Sequence, residues 1–144
     1  MLCFAPLVLL GQVLTMDHNA LGHSHHMTSN VNAPMVEVMT CEKGPGLDLK
    51  ASTAGLFGVG LQYGFALHES ATWSLTVLPK AGLSYTDKPR HELPMTAQFE
   101  VGWQLLVGYG NYRAGLEYWH LSNAGIQQPN IGLDMLVVQT GWRF

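Results

Sequence analysis

The chain has 144 residues, of which 47% are apolar and only 12% are charged, and its net charge at pH 7 is −3. Typical soluble domains carry about twice this charged fraction, and without a basic stretch there is no electrostatic case for binding nucleic acid. The longest apolar run, from Cys3 to Gly11, is far shorter than the roughly 18 residues of a membrane-spanning helix. Two cysteines, Cys3 and Cys41, are too few for a disulfide framework. The composition therefore favours a membrane β-barrel.

The N-terminal part of the chain differs in composition from the rest. Residues 2–14 have the apolar character of a signal-peptide core, although no positively charged segment precedes them. Residues 15–34 are polar, and in the absence of cysteines or a regular ligand spacing we interpret their histidines as part of a linker rather than a metal site. These histidines are His18, His23, His25 and His26. We predict a signal peptide and a His-rich linker over residues 1–34 and a barrel domain over residues 35–144.

From residue 36 onward, large apolar residues alternate with small or polar ones, and turn residues separate the segments. This pattern is typical of transmembrane β-strands, whose successive side chains face lipid and the barrel interior in turn. We predict an all-β antiparallel barrel of the outer-membrane type. The predicted lipid-facing residues are the odd positions of 55–67, 73–85 and 99–107 and the even positions of 112–122 and 134–144.

Five strands are evident in this pattern and a brief sixth covers residues 36–41, whereas bacterial barrels have at least eight strands. Three explanations remain open: residues 47–67 contain a hidden turn, part of residues 1–34 is a strand, or the barrel is abbreviated and closes differently. The alternation also predicts that a charge is costly at the lipid-facing Leu105 or Val138. At the inward Gln104 or Gln139 we expect the same change to be mild.

Residues 117–134 contain three side chains that are suited to ester hydrolysis. A histidine can take the proton of a serine hydroxyl near neutral pH when a carboxylate holds its tautomer. In an antiparallel hairpin that sets Phe144 opposite Gly110, His120 lies opposite Asp134, and Ser122 shares its apolar face. The competing structural interpretations are an interfacial aromatic for His120, a loop cap for Ser122 and a loop-end carboxylate for Asp134.

Residues close to this serine can stabilise an oxyanion. The side chains of Asn123 and Asn130 carry amide donors, and glycines at 125 and 132 let backbone amides approach a developing negative charge. We therefore predict that Asn123, Ala124, Gly125 and Asn130 position the substrate or bind the oxyanion.

The run His120-Leu-Ser-Asn-Ala-Gly125, the turn Pro129-Asn130-x-Gly132 and the acid at Asp134 closely resemble the lipid A 3-O-deacylase family of outer-membrane β-barrel enzymes. The aromatic C-terminus also matches, and the resemblance is strongest over residues 95–144. It implies that His120, Ser122 and Asp134 form a triad and that Asn130 helps to shape the oxyanion site. At the acid position the resemblance implies Glu, so this chain has a carboxylate that is one methylene shorter.

The function expected from this resemblance is hydrolysis of the 3-O-linked acyl chain of lipid A by a serine esterase in the outer membrane of a Gram-negative bacterium. The expected partners are lipid A or lipopolysaccharide and the membrane itself, and a homodimer is left open. We expect no cofactor, no metal and no nucleic acid. The alternative is a non-catalytic outer-membrane barrel with a structural or lipid-binding role, in which the motif serves only to fold the loop.

Overall fold

The computed structural model describes residues 6–15, 33–87, 96–126 and 132–144, which form eight antiparallel β-strands. Each strand pairs with the next in the chain, and β1 also pairs with β8, which closes the barrel. The predicted all-β antiparallel barrel is thus confirmed. No helix in these ranges is long and apolar enough to cross a membrane. The strands are β1 (Leu7–Thr15), β2 (Ala33–Met39), β3 (Gly44–Ser52), β4 (Leu56–Glu69), β5 (Trp73–Thr86), β6 (Ala97–Tyr109), β7 (Tyr112–Ser122) and β8 (Leu133–Arg143).

The first strand lies where the sequence predicts a signal-peptide core. Residues 7–15 form β1, which is hydrogen-bonded between β2 and β8, so the barrel wall begins before the predicted domain boundary at residue 35. An apolar segment of nine residues suits either role, because a transmembrane strand needs only about 9–11 residues. The His-rich segment, residues 18–26, lies outside the described residues.

A hidden turn supplies the other missing strand. Residues 53–55 separate β3 from β4 within residues 47–67, where a hidden turn was one of the open explanations. Gly55 has a φ of +78°, a left-handed conformation that favours glycine, and its N–H donates to the Ser52 carbonyl oxygen at 3.0 Å. Two of the three explanations for the low strand count therefore hold together, and the chain is not an abbreviated barrel.

The exterior of the barrel is apolar, as the alternation predicts. On β4 to β8 the odd positions of 57–67, 73–85 and 99–107 and the even positions of 112–122 and 134–144 point outward. Aromatic residues mark both ends of this apolar band, as in the interfacial girdles of membrane barrels. At one end these are Trp73, Tyr109, Tyr112, Trp142 and Phe144, and at the other Phe57, Tyr85 and Phe99.

The two ends of the barrel differ in the length of their connections. The short turns 40–43, 70–72 and 110–111 lie at the same end as Leu7 and Phe144. The opposite end carries the three-residue turn 53–55 and the longer connections, among them 87–96 and 123–132. Outer-membrane barrels place their short turns in the periplasm and their longer loops outside the cell. The end at which β7 ends and β8 begins is therefore the outer one.

The interior of the barrel is layered. An apolar cluster lies beneath the outer end and a second one towards the periplasmic end, and between them lies a buried network of charged and amide side chains. The outer cluster is Val13, Met35, Leu56, Trp119, Leu121, Leu133, Met135 and Val137, and the inner one is Leu7, Leu9, Met39, Leu78 and Leu106. In the network, Lys80 bonds Glu37 and lies 3.0 Å from Glu117, while Lys50 bonds Glu100 and lies 2.9 Å from Glu117.

Gln104 and Gln139, where the alternation predicts that a charge is mild, belong to this network. Gln104 donates to Glu37 at 3.0 Å, and Gln139 donates to Glu37 at 2.6 Å and to Glu117 at 3.0 Å. Both side chains are buried. With these contacts we expect a charge at Gln104 or Gln139 to be more costly than the alternation alone predicts, because it would remove a donor from a buried carboxylate.

The exterior gives a first testable prediction. Val138 is exposed and lies at the middle of β8, so Val138→Lys should lower the free energy of unfolding in lipid by roughly 2–4 kcal/mol. The matched control Tyr109→Lys, at the periplasmic end of β6, should cost roughly 0–1 kcal/mol because a lysine there reaches the interface. Urea unfolding in lipid vesicles measures both. Equal costs at the two positions would contradict the assigned depth.

Candidate active site

The hairpin of β7 and β8 brings His120 and Asp134 together at the outer end of the barrel. The two residues are directly opposite each other in the ladder, which confirms the predicted register. His120 Nδ1 lies 2.7 Å from Asp134 Oδ1, a distance at which a protonated Nδ1 donates a charge-assisted hydrogen bond. Such a bond fixes the tautomer and leaves Nε2 as the ring nitrogen able to accept a proton.

The carboxylate of Asp134 is closely covered although its position faces outward. The residue is only 1% exposed. Its Oδ1 also accepts a hydrogen bond from the Tyr118 hydroxyl at 2.8 Å, and Tyr118 lies two residues before His120 on the same face of β7. An ionised group on a lipid-facing wall is costly unless it is paired. Two donors on one oxygen meet this requirement.

Ser122 ends β7 on the same face as His120. Both side chains are half-buried, and the residues opposite them on β6 are Phe99 and Val101. Residues two apart on a strand are separated by about 6.6–7 Å, so a serine hydroxyl at this position is within reach of the histidine ring. The structure thus places the three predicted triad residues on one patch of the outward surface at the outer rim.

The loop that follows Ser122 is held by its own asparagine. Asn123 is buried, and its Oδ1 accepts a hydrogen bond from the Gly125 N–H at 2.9 Å, while its carbonyl oxygen accepts one from Ile126 N–H at 3.1 Å. The Gly125 amide, which the sequence suggested as an oxyanion donor, is therefore engaged within the turn. Ala124 between them has a φ of +52°, an uncommon conformation for a residue with a side chain. The predicted oxyanion residue Asn130 lies outside the described residues.

Gly132 begins the return of the chain to β8 directly beside the histidine ring. Its φ is +79°, and a Cβ atom added here would lie 2.6 Å from His120 Cε1 and 3.1 Å from Nε2. The absence of a side chain at Gly132 therefore provides the space that the His120 ring occupies.

We predict that Gly132→Ala displaces the His120 ring and lowers the expected esterase activity by roughly 10- to 100-fold, because small displacements of the predicted base are costly. Gly110→Ala is the matched control, since Gly110 also has a positive φ, +56°, but lies in a periplasmic turn with no atom within 4 Å of the added Cβ. It should lose about 1 kcal/mol of stability and little activity. Initial rates and unfolding curves of both variants test this, and equal rates would contradict it.

Three buried carboxylates in the barrel interior could in principle hold a cation. Ligand oxygens of Glu37, Asp48 and Glu117 lie within 4.8 Å of one another. The ammonium groups of Lys50 and Lys80, however, already lie among them, at 3.2 Å and 3.4 Å from Asp48 Oδ2. Lys50 also lies 4.4 Å from the centre of the Trp119 ring. We therefore assign these carboxylates to the packing of the barrel, where ammonium groups balance their charge.

Two residues of the site were not among the predicted site residues. Tyr118 is the diagonal neighbour of Asp134 across the β7–β8 ladder, so the register that predicts the His120–Asp134 pair also contains the signal for Tyr118. Gly132 was expected to let a backbone amide approach the substrate. The contact of Gly132 with His120 depends on how the chain passes from the loop into β8. The alternation of residues along a strand carries no information on that path.

Taken together, the closed antiparallel barrel, its apolar exterior and its aromatic ends define an outer-membrane β-barrel protein of the Gram-negative type. The family model of lipid A 3-O-deacylase (PagL) matches residues 20–143. The chain belongs to this family.

Solved structures share the fold. The structure described as the outer membrane enzyme PagL matches with a TM-score of 0.58 and 11% identity, over 93% of this chain and 98% of that chain. The outer membrane protein Ail of Yersinia pestis, in a phospholipid bilayer nanodisc, matches with a TM-score of 0.50 and 12% identity, over 98% of this chain and 99% of that chain. At such identities these likenesses show the fold alone. No curated protein sequence matches the chain.

Proposed function

We propose that this chain is an outer-membrane esterase that removes the 3-O-linked acyl chain of lipid A, with His120, Ser122 and Asp134 as its triad. The observation that carries the proposal is the 2.7 Å contact between His120 Nδ1 and Asp134 Oδ1 on the outward face of the barrel, with Ser122 on the same face. Membership of the lipid A 3-O-deacylase family supports the choice of substrate.

In the proposed reaction, the Ser122 hydroxyl oxygen attacks the ester carbonyl carbon while His120 Nε2 takes the hydroxyl proton. The tetrahedral intermediate collapses, the bond to the sugar oxygen breaks, and His120 returns the proton to that oxygen. A water molecule, deprotonated by His120, then attacks the carbonyl carbon of the acyl-serine. The bond to Ser122 Oγ breaks, His120 returns the proton to that oxygen, and the fatty acid is released. Asp134 keeps the His120 tautomer and stabilises its charged form. These steps need no cofactor.

The position of the residues suits an ester that is itself part of a membrane. The acyl chain needs an apolar surface to lie against, and Phe99 and Val101 provide one beside Ser122 and His120. The reaction also needs water for its second step. A site at the outer rim borders both the bilayer and the aqueous phase, whereas a site at the middle of the wall would meet lipid alone.

We propose fewer oxyanion donors than the four residues that the sequence predicts. The Gly125 N–H already donates to Asn123 Oδ1, so Asn123 and Gly125 serve to shape the loop. The backbone amide of Ala124 and the side-chain amide of Asn130 then remain as the proposed donors, of the kind that stabilise tetrahedral intermediates in acyl transfer.

Mass spectrometry of lipid A tests the proposal. Cells that express the chain in an outer membrane with fully acylated lipid A should show loss of one 3-O-linked hydroxyacyl chain, and cells that express Ser122→Ala should not. The same products should form when the purified barrel is mixed with lipid A in detergent. Unchanged lipid A in both experiments, with the barrel folded in the membrane, would exclude the proposed activity and favour the non-catalytic barrel.

A further inference from the structure

We infer that Tyr118 is a positioning residue of this site, which acts by holding Asp134 in the orientation that His120 requires. The inference rests on the proposed function for its catalytic meaning. Its geometric part is independent of that function, because the Tyr118 hydroxyl and His120 Nδ1 meet the same oxygen, Asp134 Oδ1, at 2.8 Å and 2.7 Å.

The arrangement gives the carboxylate two donors from a single strand. Tyr118 and His120 are two residues apart on β7, so both side chains leave the sheet on its outer face, and Asp134 extends from β8 between them. Tyr118 lies on the side of the bilayer centre and His120 on the side of the rim. Each donor restrains rotation of the carboxylate about its last bond, so the loss of the Tyr118 hydroxyl should weaken this restraint.

Among the described residues, the neighbours of Tyr118 on the outer face are mostly apolar. The residue opposite Tyr118 on β8 is Leu136, and on β6 the residues opposite Tyr118 and His120 are Trp103 and Val101. Of the described residues that these three strands present at this part of the outer face, only Asp134, His120 and Tyr118 itself can titrate. The hydroxyl of Tyr118 thus donates to the carboxylate from the side that faces the bilayer centre.

A spectroscopic experiment tests the geometric part without any substrate. The folded barrel with ¹⁵N-labelled histidine, in detergent micelles, should show the low-field proton that is typical of a histidine bonded to a carboxylate. His120→Ala and Asp134→Asn should abolish this resonance and thereby assign it. Tyr118→Phe should shift it and speed its exchange with water. The matched control Tyr112→Phe, on the same face of β7 but at the periplasmic end, should leave it unchanged.

Kinetics test the catalytic part. Tyr118→Phe should lower kcat for lipid A deacylation about tenfold, as expected for the loss of one hydrogen bond to a charged group, and should leave KM nearly unchanged. If Tyr118 acts through Asp134, then adding Tyr118→Phe to Asp134→Asn should cost little further rate. A merely structural tyrosine would give losses that multiply.

The outcomes separate the two claims. A low-field resonance that Tyr118→Phe leaves in place, with unchanged exchange, overturns the positioning role whether or not the chain deacylates lipid A. Multiplying losses in the double variant overturn the action through Asp134. Absence of any deacylation by the parent chain instead contradicts the proposed function, and the resonance then still decides whether Tyr118 holds the carboxylate.

Discussion

Ser122→Ala and His120→Ala should each reduce the rate of lipid A deacylation by about 10⁴-fold or more, to a level that standard assays do not detect. The reason is that the residues of a triad act as a unit, so the loss of the nucleophile or of the base removes nearly all of its contribution. Initial rates with the purified barrel and lipid A in mixed micelles measure this effect. The double variant should be no slower than either single variant, since both remove the same step.

Folding must be kept apart from chemistry in this test. Both side chains are half-buried at the rim, so their truncation should cost little stability, and both variants should still reach the outer membrane. Thr140→Ala is the matched control, because it also removes a hydroxyl from the outer face of the barrel, here on β8. It should keep full activity. Substantial turnover by folded Ser122→Ala would mean that another residue is the nucleophile, and the triad would have to be abandoned.

Asp134→Asn should give the second large effect, a fall in kcat of about 10⁴-fold, as for the corresponding change in other Ser-His-Asp triads. The amide keeps the size of the side chain but removes its charge. It can present its NH2 group to His120 Nδ1, which favours the wrong tautomer and leaves Nε2 unable to accept the serine proton. KM should change far less than kcat, because the bound substrate does not contact Asp134 in the proposed reaction.

Asp134→Glu is the control for charge. It restores a carboxylate with one more methylene group and is expected to keep most of the activity or to improve it, provided that the longer side chain still reaches Nδ1 of His120. An Asp134→Asn variant that is as fast as the parent chain in initial-rate assays would show that the third member of the triad lies elsewhere or is not needed.

The alternation of the sequence was sufficient to predict the barrel, its lipid-facing side and the pairing of His120 with Asp134. These features follow from a period of two and from one hairpin register, both of which are local. β1 and the turn at residues 53–55 were among the open alternatives and could not be decided, for a local reason as well. An apolar segment of nine residues has the same composition in a signal peptide as in a strand, and a turn of three small residues interrupts the alternation only briefly.

The interior network could not be predicted in this way. Glu37 meets Gln139, and Lys50 meets Glu100, across the barrel and from distant parts of the chain. Which inward side chains meet depends on the number of strands and on their stagger, neither of which is contained in any single segment. The prediction that a charge is mild at Gln104 or Gln139 does not take this network into account, because both residues look like ordinary inward polar positions until the strand count is known.

His120 and Ser122 lie on the outside of a filled barrel. In the proposed reaction, the protein would therefore meet its substrate by diffusion in the two dimensions of the membrane. A lipid cannot arrive through the interior, so encounter depends on lateral diffusion within the outer leaflet. The quantity that sets the rate is then the mole fraction of substrate in the membrane plane and not its concentration in the bulk. Adding inert lipid to a vesicle would slow turnover even at constant total substrate. The lipid packing of the leaflet around the rim would also change the rate of turnover, without any change in the protein.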